Sequence, residues 1–231
     1  MVETEMNKIP RWALEPLEQF LESFSSTHAF YHLTIDGLQM IIRYHETLVV
    51  GDARIRDLKS KLLELGGESE EPESAEAEEE IRMQRRALAK ERADLAQREV
   101  SNGFPVLHSQ QVVSIWSSIE CFVEDMLVAW LANDPEAMKS ERVRKIKIPL
   151  TDFDRMSESE RKYFLVSELQ RDPEFARKNE IEKFESLLAL AGLFGNIDAA
   201  VKRDLIELGH TRNVLLHRRG IADAKFVQAC P

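Results

Sequence analysis

The residues best suited to chemistry in this chain lie together near its end, in His210-Thr211-Arg212-Asn213-Val214-Leu215-Leu216-His217-Arg218-Arg219-Gly220. The segment holds three arginines, two histidines and no acid, within a chain whose formal net charge is -10. Imidazole is the side chain that titrates near neutral pH. Guanidinium makes charge-assisted, often bidentate bonds to phosphate oxygens. A local reversal of charge sign around an imidazole suits a phosphate-bearing ligand.

The surrounding periodicity predicts how these residues are carried. Ile197, Val201, Leu205 and Leu208 step by three and four, which predicts a helix from about Ile197 through the motif. The same steps reach Arg212 and then Leu215, so Arg212 falls on the face directed into a bundle. A buried, unpaired guanidinium is very costly, so Arg212 must meet a carboxylate, a cleft or a partner surface. Asn213 and His217 are four apart and His210 is three before Asn213, which sets an amide and two imidazoles on one ridge. A plainer reading also accounts for the pattern. Basic side chains near a helix C-terminus are favourable with its dipole, and Arg218-Arg219-Gly220 describes a charged last turn with a glycine cap.

The rest of the chain reads as helices. Glycine and proline are sparse, at 9 and 8, and 43% of the 231 residues are hydrophobic, enough for a core. A short amphipathic helix is expected around Trp12 to Phe24. Ile41, Tyr44, Leu48, Ile55, Leu58, Leu62 and Leu65 predict a longer one, ending at Gly66-Gly67. An acidic linker is expected near residues 66–80. A second long helix then carries Ile81, Leu88 and Leu95 at seven-residue spacing, and the two suggest an antiparallel hairpin. Ser101-Asn102-Gly103-Phe104-Pro105 breaks the pattern. This places residues 1–100 in an N-terminal helical, coiled-coil region and 101–231 in a second domain, so removal of residues 1–100 is expected to leave a soluble helical domain. The second domain opens with the most apolar helix, from Val112 to Leu131, which Asn133-Asp134-Pro135 ends. Short helices and loops are expected over 136–178, with a start signal at Ser157, followed by a helix on Ile181, Phe184, Leu187, Leu188 and Leu190.

Arg212-Asn213-Val214-Leu215-Leu216-His217 resembles the signature of the HEPN superfamily: an arginine, a polar residue directly after it, and a histidine a few residues on. The resemblance covers roughly residues 104–226, including an upstream helix that carries Trp116 and Glu120. It implies an all-α protein, a HEPN-like helical bundle preceded by the N-terminal hairpin. It also implies metal-independent endoribonuclease activity with no cofactor, in a toxin or anti-phage defence effector. His217 would take the proton of a ribose 2′-OH, Arg212 would hold the attacked phosphate, and Asn213 would orient phosphate or imidazole. Arg218, Arg219 and His210 would bind flanking phosphates. The implied partners are RNA and a second HEPN domain in a homodimer, with a regulatory or antitoxin protein on the N-terminal helices. The pattern departs in two respects: Leu216-His217-Arg218 stands where many members have Ala-His-Gly, and the sequence stops eleven residues after Gly220, where many members continue. The competing expectations are a catalytically silent HEPN-like interaction module and a plain coiled-coil adaptor.

The remaining candidates are weaker. Glu120 is a possible polar partner for Arg212 or Arg218, and Glu124 reads as a helix edge. His28 and His32 have i, i+4 spacing without a third ligand, so no metal site is assigned. The basic run 142–147 reads as a solvated face. Cys121 reads as a buried core thiol, and neither it nor Cys230 has a partner at metal-ligand spacing. No run approaches the ~20 apolar residues of a membrane span. The acidic N-terminus lacks the features of a signal peptide, so a cytoplasmic location without membrane contact is expected.

Overall fold

A computed structural model describes residues 9–65, 72–148, 150–195 and 197–230. Among these the regular structure is helical throughout, with no strand, and no helix is long and apolar enough to cross a membrane. The chain divides into two compact units: Met1–Thr27 with Ser109–Pro231, and His28–His108.

Helix α1 spans Arg11–Glu64 without interruption, so the separate helix expected over Trp12 to Phe24 is only its beginning. Gly37 and Gly51 do not divide it: a Cβ at either position would meet nothing within 4 Å. Each costs about 1 kcal/mol in helix propensity and breaks no contact. Helix α2, Pro72–Ser101, begins inside the stretch expected as linker. Proline is tolerated at the first helical position, and glutamate is a good helix former. Residues 66–71 lie outside the described residues.

Within the His28–His108 unit, α1 and α2 run antiparallel. Lys59 meets Glu78 at 3.7 Å, and Asp52 meets Arg82 at 3.7 Å and also Arg86. Asp52 is 8% exposed. The seven-residue stripe of α2 does not form the buried positions. Ile81, Leu88 and Leu95 are exposed, whereas Ala89, Ala93 and Ala96 are buried. Alanine lets helix backbones approach closely where leucine would hold them apart.

The chain turns sharply after α2. Gly103 and Phe104 have φ of 74° and 60°, and Phe104 N donates to Glu99 O at 2.7 Å. Helix α3, Pro105–Asn133, follows. Val123, Leu127, Trp130 and Leu131 of α3 form a core with residues of α4 (Glu141–Arg144), α6 (Glu158–Gln170), α7 (Pro173–Ala176) and α8 (Glu180–Leu190). Helix α5 is Leu150–Arg155. The start signal at Ser157 is a capping box with Glu160. The basic run is not simply a solvated face: Arg142 pairs with Glu174 and with Asp172, and its guanidinium lies 5.5 Å from the Phe175 ring centroid.

The start of α1 belongs to this larger unit rather than to a region ending at residue 100. Ala13 is fully buried, Trp12 packs on the core, and the Phe20 and Phe122 rings lie 4.8 Å apart. Cys121 is exposed, not buried. Five residues beyond the buried Trp116, it lies about 140° around the helix from the core face.

Candidate active site

The motif is carried by helix α9, Ala199–His217, whose start is capped by the Asp198 side chain. Helix α9 packs against α8 and against α10, Ala224–Ala229. The expected apolar stripe is only partly used. Ile197 precedes the helix, and both it and Val201 are exposed, while the buried position is Gly209. A Cβ on Gly209 would lie 2.8 Å from Trp116 Cη2 and 3.2 Å from Glu180 Oε2. The absence of a side chain is what lets α9 approach the fully buried Trp116 ring.

One turn further on, Arg212 also faces α3. Its Nη2 donates to Glu120 Oε2 at 3.5 Å, and its Nη1 donates to Asn213 Oδ1 at 2.9 Å. Glu120 is fixed from the other side, since Trp116 Nε1 donates to Glu120 Oε1 at 3.0 Å. A chain of polar contacts thus runs from Trp116 through Glu120 and Arg212 to Asn213. The Arg212 side chain is 20% exposed, and its Nε is buried with no hydrogen-bond partner. A guanidinium carries five N–H donors. Two are spent here, and the Asn213 amide nitrogen remains a donor because its oxygen accepts from Arg212.

Beside this chain lies a cavity of about 190 Å³ lined by Trp116, Lys178, Asn179, Glu180, His210 and Asn213, among others. His210 and Asn213 are therefore brought together, as their spacing predicts. His217 is the last residue of α9. It is exposed and makes no side-chain hydrogen bond or ion pair among the described residues. By helical rotation it lies about 40° from Asn213 and about 140° from Arg212, so Asn213 sits between the two.

The two following arginines are placed differently. Arg218 caps α9 and pairs with Asp223 at 3.4 Å. Arg219 has φ of 55° and lines a shallow groove with Ser109, Gln110, Val113, Leu215 and Leu216. The sequence did not single out Trp116 as the group fixing Glu120, nor Gly209 as the point of close approach. A glycine inside an apolar helical pattern was the available signal for the second. Further along α3, burial and then the neighbouring Asp125 push the Glu124 carboxyl above its ordinary range. Asp125 in turn accepts from Tyr163 Oη at 3.1 Å. His28 and His32 face one another with Nε2 atoms 3.2 Å apart, and among the described residues no group of three or more potential ligands could hold a metal ion.

No protein-family model matches the chain, and neither a curated protein nor a solved structure matches it.

Proposed function

We propose that this protein is a metal-independent endoribonuclease of HEPN type, of the toxin or anti-phage kind, acting in the cytoplasm on RNA as a homodimer through this helical domain. The supporting observation is the state of Arg212. A guanidinium that merely complemented a helix terminus would extend into water. This one is mostly buried, anchored to α3 through Glu120, and keeps two Nη–H donors unspent besides its buried Nε. Such a preorganised cation beside an amide donor stabilises charge that develops on a phosphate.

In the proposed reaction a phosphate sits over Asn213, between Arg212 and His217. His217 accepts the proton of the adjacent ribose 2′-OH. The 2′-oxygen attacks phosphorus, the bond to the 5′-oxygen breaks, and the leaving oxygen takes a proton from water. The products are a 2′,3′-cyclic phosphate and a 5′-hydroxyl. Arg212 and the Asn213 amide hold the equatorial oxygens, and Arg219 and His210 contact flanking phosphates. Arg218 contributes less, because Asp223 already neutralises it. DNA lacks the 2′-OH and escapes this route.

One observation favours the silent-module reading: Arg212 and Arg218 each have an internal carboxylate partner. Incubation of the protein with matched RNA and DNA in excess EDTA, beside His217→Ala, separates the two. The expected result is RNA cut, DNA intact, and a variant of unchanged helicity at least about 100-fold slower, the usual scale for loss of a general base. A His217→Ala variant as active as the wild type removes this mechanism, and an inert wild type favours the silent module.

A further inference from the structure

We infer that the hairpin of α1 and α2 is half of an antiparallel four-helix assembly whose other half is a second copy of this chain, related by a two-fold axis at Leu88.

The hairpin leaves a row of apolar side chains open, flanked by Arg85 and Arg92. Ile81, Leu88 and Leu95 are 52%, 49% and 57% exposed, because the alanines beside them are the residues buried. From α1, Met40, Ile41 and Tyr44 line one open groove with Leu88, and Leu48 and Ile55 line a second with Ile81. Both helices therefore present apolar side chains to the same side. Exposed apolar side chains clustered in this way, rimmed by charge, suit an interaction site, and the seven-residue spacing is that of helix-on-helix packing.

The charges of α2 identify the occupant as another α2 in reversed direction. Its N-terminal part holds Glu73, Glu76, Glu78, Glu79 and Glu80 with no base. From Ile81 to Ser101 it holds Arg82, Arg85, Arg86, Lys90, Arg92 and Arg98 against Glu91, Asp94 and Glu99. A parallel neighbour would set acid on acid. An antiparallel neighbour centred on Leu88 instead sets Glu78 on Arg98 and Arg85 on Glu91.

The register follows from positions equidistant from Leu88. Ile81 and Leu95 lie seven residues to either side, and Arg85 and Glu91 lie three to either side. Glu78 and Arg98 lie ten to either side. A two-fold at Leu88 thus pairs Leu88 with Leu88, Ile81 with Leu95 and Arg85 with Glu91, and Glu78 with Arg98. All seven of these side chains are exposed. An interface that pairs every such position with its complement through one rotation is isologous, as closed dimers require.

The test uses the full chain with Cys121→Ser and Cys230→Ser, so that no native thiol interferes. Under mild oxidation Leu88→Cys is expected to cross-link to itself. Ile81→Cys alone and Leu95→Cys alone should not, while a mixture of those two should. In parallel, light scattering should show Arg85→Glu weakening association by about tenfold, with Arg85→Glu/Glu91→Arg restoring it. Helicity by circular dichroism should stay constant across the set. A chain that is monomeric at 100 μM overturns the inference. So does a dimer indifferent to Leu88→Glu, or one in which Ile81→Cys cross-links to itself.

Discussion

Glu120 carries two burdens, accepting the Trp116 indole on one oxygen and Arg212 on the other. The position of Arg212 therefore depends on the position of the Trp116 ring, which in turn depends on Gly209. Alanine at an interior helix site is normally better than glycine by about 1 kcal/mol. At residue 209 the sign reverses, because a methyl group would sit 2.8 Å from the ring and 3.2 Å from the Glu180 carboxylate. Overpacking of a well-filled site costs about 1–3 kcal/mol, which for a chain of this size lowers Tm by roughly 2–4 °C per kcal/mol. Gly209→Ala is thus expected to melt earlier than the wild type. Added to Trp116→Phe, whose shorter ring withdraws from the contact, it should cost less than it does alone, a coupling that a double-mutant cycle measures. Strict additivity would show that the ring is not what the methyl meets. Here the sequence was legible to a definite depth. Spacing placed Arg212 on an inward face and required a partner for it, and Glu120 is that partner. That the indole would anchor the glutamate was not legible, because the periodicity of α3 gives the direction of Trp116 and not the reach of its Nε1.

The helices themselves were legible because three- and four-residue steps and the turn at Gly103-Phe104-Pro105 are local signals. Which face of each helix is buried was less so. In α2 the eye follows Ile81, Leu88 and Leu95, yet the packing runs along Ala89, Ala93 and Ala96, since closeness of approach outweighs side-chain hydrophobicity between two tightly paired helices. Cys121 was misplaced for a related reason: it sits inside an apolar run but off the core face. Asp52 is the other feature of the hairpin that periodicity hides. It is the charged residue buried between Arg82 and Arg86, and Arg86 Nη2 is already buried without a partner. Asp52→Asn would leave both guanidiniums without their shared countercharge. Breaking a fully buried pair costs about 3–5 kcal/mol. The arginine side chains keep 21% and 25% exposure, so a loss of roughly 1–3 kcal/mol is expected after solvent screening. Hydrogen exchange should report it as faster exchange along α2, with α3 unaffected. Asp52→Leu combined with Arg86→Met should recover most of the protection, because an apolar replacement of a buried ion pair is often neutral. Unchanged exchange in Asp52→Asn would mean that the alanine seam alone fixes the hairpin.

At the scale of the molecule, α1 is shared between two units, and this alters what a truncation does. Residues 1–100 look separable on paper because the composition changes near residue 101. The described residues 9–27 nevertheless sit with the C-terminal unit. Trp12 packs on its core, Phe20 lies against Phe122, and Ser23 Oγ is 3.5 Å from Ser118 Oγ. These contacts run antiparallel along α3. Fully burying a large apolar side chain is worth about 1.5–3 kcal/mol, so loss of Trp12 and Phe20 removes up to about 3–6 kcal/mol, a large share of ordinary domain stability. A chain starting at residue 101 is therefore expected to melt well below the full protein and to aggregate from its exposed α3 face. A second truncation avoids the loss. Extrapolating the Phe20–Phe122 and Ser23–Ser118 pairs sets Thr27 near Ser114, and Ser109 lies only about 7–8 Å further along α3. A linker of about six Gly and Ser residues, which reaches roughly 20 Å when extended, can replace His28–His108. That chain should melt cooperatively near the temperature of the larger unit in the full protein. On the proposed function it should also retain RNA cleavage in EDTA, while losing the association that depends on Leu88. Equal melting temperatures for the two truncations would show that the start of α1 contributes nothing to the core. Cleavage lost only in the linked chain would make the hairpin part of the catalytic assembly rather than an appendage to it.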